Sequence, residues 1–420
     1  MAPGHSNGLS SVPEHIPGML VEHPEHRHML RQHLAQMTDQ STLRFPGSQP
    51  VSFDYSTLDL LMQEDFWVCE KSDGVRVLVM IVCPPAGQQE VYLIDRKEHF
   101  YLQQGVYFPH QDGLDSLHSN VLLDAELVID TDPKTGNRSL TLLCFDCLRV
   151  GEESLMHKAL SSRYGRLREW IIKPHEKLLK VHPELIADMP FQVKLKKMEL
   201  AYGIQAVFKD HLPQLQHGND GLIFTGAEAP YTPGTDKKIV KWKPPSENSI
   251  DFKLELRFPP TPRNPDEADF SAKPLFLLLE NCGGSRGHVF FDTMEVDDDE
   301  WEAWKESGEQ IDDRIIECVW DKGRQTWKKL RFRDDKVDGN FTTVVQSILE
   351  SIKDGVEAEV LIEKAGAIRH AWKQREAARK AAASKSKPAG LPQQLPQQYQ
   401  KPASRPTNPP ISSLASTLKR

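Results

Sequence analysis

The chain has 420 residues, of which 39% are hydrophobic and 27% are charged, a composition typical of a globular protein with two or three domains. It contains no apolar run of the roughly 18 residues that a membrane-spanning helix needs. The first residues lack the basic and apolar regions of a secretory signal. We therefore expect an intracellular protein with no membrane partner.

The net charge of −8 is unevenly distributed along the chain. Residues 373–420 carry ten Lys and Arg against one acidic residue, so this end is +9 and residues 1–372 are −17. An acidic body does not bind nucleic acid over a broad face. If RNA is a substrate, we expect a local basic cleft or the basic end to hold it.

Six cysteines are scattered through mostly apolar segments, which indicates reduced, buried thiols rather than a disulfide framework. Cys144 and Cys147 form a C-x-x-C without a second pair, and we interpret them as structural. Cys318 and Arg324 have the spacing of a cysteine phosphatase, but the residues between them do not suit a phosphate-cradling loop. No phosphatase activity is predicted.

The first half of the chain predicts one helix followed by short strands. The helix covers Pro24–Met37. The histidines in it and just before it (His23, His26, His28 and His33) are not predicted to bind a metal. Strands are predicted at 67–82, 91–96, 121–130 and 139–148. A turn at 132–137 makes a hairpin of the last two. Residues 160–182 predict an amphipathic helix that ends near Pro174, with a second turn of helix after it left open. Strands follow at 191–198, 221–225 and 238–243.

A second strand-rich region follows a linker at 244–249. Strands are predicted at 251–258, 274–281, 288–294, 315–321 and 325–333, and this spacing favours a small barrel. The acidic segment 292–313 is predicted to be a solvated loop and helix. A helix at 342–379 is predicted to break near Gly355. The Pro/Gln-rich residues 381–420 predict a disordered basic tail.

The motif with the clearest chemistry is K-x-D-G-x-R at residues 71–76, between two apolar strand-like runs. A strand before a glycine turn can project the Lys71 amine into a cleft, and Arg76 adds a fixed cation for a ribose or phosphate oxygen. A free lysine amine has a pKa of about 10.4, so nearby cations must help to release its proton near neutral pH. Taken alone, the motif also fits an exposed hairpin.

Five further motifs follow in order, at 92–96 (YLIDR), 123–128 (LDAELV), 145–146 (FD), 220–224 (DGLIF) and 241–244 (KWKP). With the lysine motif they resemble the covalent nucleotidyltransferase superfamily, which comprises mRNA capping enzymes, ATP-dependent DNA ligases and RNA ligases. Ala125 stands where this superfamily usually has glycine. Residues 241–252, with NSIDF after KWKP, and 333–340 (RDDKVDGN) resemble capping enzymes rather than ligases, although Gly339 replaces the usual proline. The resemblance is closest to the guanylyltransferase (alpha) subunit of fungal capping enzymes.

This resemblance implies an α+β fold. Residues 1–245 would form a nucleotidyltransferase domain (ATP-grasp/ligase-like) of antiparallel sheets with helices. Residues 246–345 would form a C-terminal OB-fold β-barrel, and residues 346–380 a helix that packs back on the first domain.

The resemblance also implies the site. Lys71 would attack the α-phosphorus of GTP and carry GMP as a phosphoramidate, and Asp220 and Glu126 would hold Mg²⁺ or Mn²⁺. The implied nucleotide-binding residues are Arg76, Arg96, Glu126, Phe145, Lys196, Lys241, Lys243, Arg333 and Lys336.

Each nucleotide-binding residue has an implied role. Arg76, Arg96 and Glu126 would engage the ribose, and Phe145 would stack on guanine. Lys196 would read the base, although Lys194 and Lys197 leave that assignment open. Lys241 and Lys243 would bracket the α-phosphate, whereas Arg333 and Lys336 would bind the β- and γ-phosphates.

The implied function is mRNA guanylyltransferase in the nucleus. Its partners would be GTP, a 5′-diphosphate RNA end, a separate RNA 5′-triphosphatase subunit and the phosphorylated C-terminal tail of RNA polymerase II. Two alternatives stay open at this point. The chain could be an ATP-dependent polynucleotide ligase that adenylates Lys71, or a non-catalytic module that recruits RNA or polymerase.

Overall fold

A computed structural model describes residues 10–41, 43–84 and 87–385. The chain divides into two compact units. The first comprises the described residues of Met1–Val51, Leu58–Trp242 and Ile362–Arg420, and the second comprises Ser52–Thr57 and Lys243–Leu361. Among the described residues, no helix is both long enough and apolar enough to cross a membrane.

Two mainly antiparallel sheets form the first unit. The larger has the strand order β1-β6-β5-β4-β9-β10-β11 with β12 beside β10, and the smaller has the order β13-β3-β14-β15-β2. The short pair β7 and β8 lies apart. The strands are β1 (Met19–Leu20), β2 (Ser48–Ser52), β3 (Phe66–Ser72), β4 (Val75–Val82), β5 (Glu90–Ile94), β6 (Phe100–Gln103), β7 (Pro109–His110), β8 (Gly113–Leu117), β9 (Val121–Thr131), β10 (Arg138–Val150), β11 (Glu153–Ser154), β12 (Gln192–Leu195), β13 (Glu199–Leu200), β14 (Asn219–Gly226) and β15 (Gly234–Trp242).

Strand β4 shows why the larger sheet is central. Successive side chains of a strand point to opposite faces, and residues 77–81 of β4 are all fully buried. Val77 and Val79 pack into the core on one face, whereas Leu78 and Met80 pack into the core on the other. An uninterrupted apolar run thus makes a strand that is covered on both sides.

The lysine motif joins the two sheets. β3 pairs with β13 and β14, whereas β4 pairs with β5 and β9, and only Asp73 and Gly74 separate them. The motif is therefore a crossing between sheets and not a surface hairpin. A Cβ atom on Gly74 would lie 2.6 Å from the carbonyl oxygen of Leu127, so this close approach requires glycine.

The helices of the first unit are α1 (Pro24–Met37), α3 (Leu160–Arg166), α4 (Lys173–Val181) and α5 (Ile204–Ala206), together with α2 (Tyr55–Gln63) from Leu58 onwards. Short 3₁₀-helices lie at Pro183–Asp188, Ala201–Gly203 and Leu212–Gln214, and π-helical turns lie at Leu167–Ile172 and Val207–His211. The predicted end near Pro174 is wrong, because α3 continues through the π turn into α4. Pro174 lies in the first turn of α4, where the changed hydrogen-bond register tolerates its missing N–H.

The second unit is built on strands β16 (Ser249–Arg257), β17 (Pro260–Thr261), β18 (Asn264–Ala268), β19 (Leu275–Gly283), β20 (Gly287–Met294), β21 (Ile315–Asp321) and β22 (Thr326–Phe332). Five of them close into a barrel in the order β16-β19-β20-β22-β21. 3₁₀ turns lie at Pro245–Glu247 and Gly284–Arg286. Helix α6 (Asp298–Ser307) carries much of the acidic segment, and its buried Trp301 packs into the barrel core.

The last two helices differ from the predicted domain boundaries. α7 (Thr342–Asp354) packs on the barrel through Val345, and α8 (Ala358–Lys385) belongs to the first unit from Ile362 onwards. Segment 346–380 is therefore shared between the units instead of packing only on the first. Alanine-rich sequence also extends α8 to Lys385, five residues into the predicted tail. The rest of that tail lies outside the described residues.

Candidate active site

A pocket of about 840 Å³, including open solvent, lies in the first unit and is lined by both of its sheets. The smaller sheet contributes residues of β3, β14 and β15, and the larger contributes residues of β4, β9 and β10. Six of the residues predicted from the sequence line it, namely Lys71, Arg76, Arg96, Glu126, Phe145 and Lys196. Residues from separate motifs are thus brought to one cavity.

Lys71 is aimed by a β-bulge. Asn219 and Leu222 of β14 pair with Ser72 and Glu70 of β3, so two residues, 220 and 221, lie opposite Lys71 alone. Gly221 adopts a φ of +144°, which a side chain would disfavour. As a result the Lys71 Nζ lies 2.6 Å from Oδ1 of Asp220, with both side chains about one-third exposed.

Arg76 is held in the pocket wall by the buried carboxylate of Asp124. Its Nε donates to Asp124 Oδ1 at 2.9 Å and its Nη2 to Oδ2 at 2.5 Å, and a further bond goes to the carbonyl oxygen of Ser48. Burial alone lowers the pKa of Arg76, but the fully buried Asp124 outweighs it and raises that pKa. Tyr231 also donates to Asp124, at 2.6 Å. Arg76 is therefore a permanently charged, immobile group in the pocket wall.

Lys196 is the buried cation of the pocket. Its side chain is 3% exposed, and its Nζ donates to Ser72 Oγ at 2.9 Å. Burial alone lowers the pKa of Lys196, but the carboxylates of Glu70 and Glu126, each 3.8 Å away, outweigh it and raise that pKa. The Nζ also lies 5.8 Å from the centre of the Phe145 ring. A charged donor and an aromatic face therefore share one end of the pocket.

The structure separates Lys196 from its neighbours in the sequence. Lys194 is 43% exposed and binds Asp130, whereas Lys197 is 65% exposed beside Glu199. Neither lines the pocket. Of Lys194, Lys196 and Lys197, Lys196 is the one that lines the pocket, where a bound base can be contacted.

The remaining predicted cations lie outside this group. Lys241 is an exposed residue of β15. It lies two residues after Ile239, which lines the pocket, so the Lys241 side chain projects from the pocket-facing side of the strand. Lys243 falls in the second unit.

Arg333 and Lys336 also lie in the second unit, where they meet at Asp251. An Arg333 Nη1 lies 3.1 Å from Asp251 Oδ1, and Arg333 also binds Asp335 at 2.7 Å. Hydrogen bonding to Asp335, more than the opposing effect of burial, raises the pKa of Arg333.

The carboxylates of the site suit a metal that takes most of its ligands from a substrate. Among the described residues, no cluster of three or more His, Cys, Asp and Glu could hold a metal ion. Asp220 and Glu126 offer hard oxygen donors. Mg²⁺ and Mn²⁺ commonly bind through one or two carboxylates together with phosphates and water, and this donor set fits that mode.

Sequence reasoning missed several residues that shape the pocket. Asp124 carried a usable signal: a carboxylate inside an apolar strand, two residues before Glu126 and hence on the same face, needs a buried partner. Tyr231 and His217 carried none, because their neighbours in space are distant in the sequence. His217 lies 3.3 Å from Ser72 and 2.7 Å from Asp130.

The assembled groups have a definite chemical capacity. An amine beside a carboxylate can act as a nucleophile once its proton is removed, and fixed cations can stabilise the charge of a phosphoryl group under attack. The aromatic face of Phe145 and the donor of Lys196 suit a flat, hydrogen-bonding ring. Together they suit a transferase that forms a bond between a lysine and the phosphate of a nucleotide.

The comparisons with known proteins agree with this chemistry. The model of the mRNA capping enzyme catalytic domain matches residues 13–245, and that of the mRNA capping enzyme C-terminal domain matches residues 247–362. The chain belongs to the mRNA capping enzyme family.

Individual relatives cover most of the chain. It is 40% identical over 369 residues to an mRNA-capping enzyme subunit alpha of Neurospora crassa, covering 84% of this chain and 92% of the relative. The corresponding protein of Schizosaccharomyces pombe is 41% identical, with 86% and 89% covered. Among solved structures, a mycobacterial DNA ligase D complexed with ATP and MES matches with 17% identity and a TM-score of 0.34, covering 69% of this chain and 95% of that one.

Proposed function

We propose that this protein is an mRNA guanylyltransferase with Lys71 as its nucleophile. In the first step the Lys71 Nζ bonds to the α-phosphorus of GTP, the bond to the bridging oxygen breaks, pyrophosphate leaves and the amine loses a proton. In the second step a terminal oxygen of a 5′-diphosphate RNA end attacks the same phosphorus. The N–P bond breaks, and Lys71 recovers a proton.

The observation that carries this proposal is the position of the Lys71 amine. It lines a pocket that also holds Arg76 as a fixed cation, Phe145 as an aromatic face and Lys196 as a buried donor. In phosphoryl transfer the protein contributes mainly positioning and charge stabilisation. The capping enzyme family to which the chain belongs makes GMP the group that is transferred.

Asp220 and Glu126 are the residues that would hold Mg²⁺ or Mn²⁺. When bound, the metal would neutralise part of the triphosphate charge. We also infer that the barrel of the second unit is an OB-fold and brings Arg333 and Lys336 to the β- and γ-phosphates. Sequence resemblance supports both points, as does the match of the C-terminal family model to residues 247–362.

The remaining partners are inferred from the family. The relatives are named alpha subunits, which supports a second subunit, and we propose that it supplies the RNA 5′-triphosphatase activity. Nuclear location and docking to the phosphorylated polymerase tail stay predictions from the sequence resemblance.

The test is incubation of the purified chain with α-³²P-labelled GTP or ATP and Mg²⁺, followed by denaturing electrophoresis. We expect acid-labile label from GTP only, absent from Lys71→Ala and retained by Lys238→Ala. Lys238 is the matched control, because it lies on β15 and pairs with Glu64 outside this pocket. Label from ATP alone would indicate a ligase, and no label from either nucleotide would indicate a binding module.

A further inference from the structure

A line of hydrogen bonds connects the buried cation of the pocket to Asp130, near the end of β9. Lys196 Nζ lies 2.9 Å from Ser72 Oγ, which lies 3.3 Å from His217 Nε2. The other ring nitrogen, Nδ1, lies 2.7 Å from Asp130 Oδ1. His217 and Asp130 do not line the pocket, and Ser72 is the pocket residue that His217 contacts through its side chain.

The chemistry of these groups fixes the direction of the first and last bonds in the line, from Lys196 to Ser72 and from His217 to Asp130. An ammonium only donates, so Ser72 Oγ must accept from Lys196. Burial alone raises the pKa of Asp130, but bonds from His217, Lys194 and Thr141 outweigh it and lower that pKa, so Asp130 is an ionised acceptor.

The histidine tautomer follows from this acceptor. His217 donates from Nδ1 to Asp130, and in the neutral form of the ring this leaves Nε2 as an acceptor for the Ser72 hydroxyl. With the ring neutral, the line runs in one direction, from Lys196 through Ser72 and His217 to Asp130.

Ser72 is the group that sets the position of the Lys196 ammonium. Glu70 and Glu126 lie 3.8 Å away, beyond the length of a well-formed hydrogen bond, and their main contribution is to compensate the charge of Lys196. The Ser72 hydroxyl has an alternative acceptor in Glu70 Oε1 at 3.5 Å. Without His217 the hydroxyl can turn to Glu70, and the direction that it imposes on Lys196 is lost.

We propose that His217, oriented by Asp130, is a positioning residue that acts through Ser72 to aim Lys196 at the base of the nucleotide. An ammonium held in place presents only donors, so it favours a purine with an acceptor at position 6 over one with an amino group there. The inference rests on the proposed function, since it takes Lys196 to be the base-reading residue. It assigns base selectivity in part to a residue outside the pocket.

A pair of substitutions separates the two bonds of His217. In His217→Gln the amide oxygen can occupy the place of Nε2 and accept from Ser72. In His217→Asn the shorter amide can donate to Asp130 in place of Nδ1 but does not reach Ser72. Lys194→Ala is the matched control, because it removes another donor to Asp130 and leaves the line intact.

The measurement is kcat and KM for formation of the labelled adduct with GTP, ITP and ATP, with thermal unfolding as a check on folding. For His217→Asn we expect KM for GTP and ITP to rise about tenfold, the effect of one hydrogen bond to a charged group, with kcat for GTP changed less than about threefold. The preference for GTP over ATP should fall by about the same tenfold factor. His217→Gln and Lys194→Ala should keep the wild-type preference.

A double-mutant cycle guards against a general loss of structure. Ser72→Ala should reduce the preference as His217→Asn does, and the double variant should lose no more than either single variant. Additive losses, or equal behaviour of the Asn and Gln variants, would overturn the inference. If the wild-type chain forms no adduct with GTP, the proposed function itself fails, and that result is distinct from an adduct whose selectivity ignores His217.

Discussion

The Lys71 ammonium and the Asp220 carboxylate are 2.6 Å apart because a bulge in β14 places two residues opposite one. We predict that Asp220→Asn slows adduct formation by about 10²-fold, since the amide keeps the shape but loses the charge beside the nucleophile and the metal ligand. Single-turnover labelling with GTP at several Mg²⁺ and Mn²⁺ concentrations measures this loss. Asp115→Asn, an exposed carboxylate on β8, is the control. Unchanged rates in Asp220→Asn would remove Asp220 from the reaction.

The pair Arg76 and Asp124 should dominate the stability of the pocket wall. We predict that Arg76→Lys lowers the free energy of unfolding by about 3 kcal/mol, because lysine cannot reproduce the forked bond and leaves a fully buried carboxylate poorly paired. Urea unfolding of the first unit, followed by fluorescence, measures the change.

A surface pair provides the comparison. Arg168 and Glu169 are 54% and 41% exposed, so Arg168→Lys should change the free energy of unfolding by less than about 1 kcal/mol. If the two Arg→Lys substitutions changed the free energy of unfolding equally, the burial of Asp124 would not be the cause of the loss in Arg76→Lys.

Much of the first unit could be predicted because local pattern decides it. Uninterrupted apolar runs gave the strands, α1 begins and ends where predicted, and β9 and β10 pair across the predicted turn. The π turn before Pro174 could not be predicted, since a proline signals an end and only tertiary packing allows the helix to continue.

The site was predictable to the extent that it lies in short motifs. Lys71 could be named because its motif places an amine before a glycine turn between two apolar runs, and Glu126 because its motif resembles that of the covalent nucleotidyltransferase superfamily. Ser72 and His217 are 145 residues apart, and nothing local in either segment indicates that a bulge brings them together. The pairing of β3 and β4 with different sheets could not be predicted either. Two apolar runs joined by a glycine turn fit a hairpin within one sheet as well as a crossing between two sheets.

Lys336 should matter for one half-reaction more than for the other. Its ammonium binds the buried Asp251, and the resemblance assigns it to the leaving pyrophosphate. We predict that Lys336→Ala slows GMP loading by about 10²-fold and slows transfer from a preformed adduct to 5′-diphosphate RNA by less than about threefold. The control is Lys329→Ala. It removes a lysine from strand β22 of the same barrel, where Lys329 pairs with Glu300 of α6. Equal loss of both half-reactions would contradict this assignment.

The loss of folding stability at acid pH should depend on His118. This side chain is 2% exposed, and its Nε2 donates to the Trp170 carbonyl oxygen at 2.9 Å. Burial lowers the pKa of His118 from 6.5 to about 4. Between these values the unfolded chain binds a proton that the folded chain does not. Its stabilising contribution is therefore complete above pH 6.5 and is lost as the pH falls towards 4, by ~1.4 kcal/mol per pH unit.

The variant His118→Gln isolates this contribution, because its amide N–H can still donate to Trp170 but does not titrate. Unfolding free energies of wild type and variant, measured from pH 7 to 4.5, should converge as the pH falls, since only the wild type loses the His118 contribution. The exposed His15→Gln should follow the wild type across the same range. Parallel curves for wild type and His118→Gln would mean that the folded protein admits the proton at His118 without cost, and hence that water reaches the ring despite its burial.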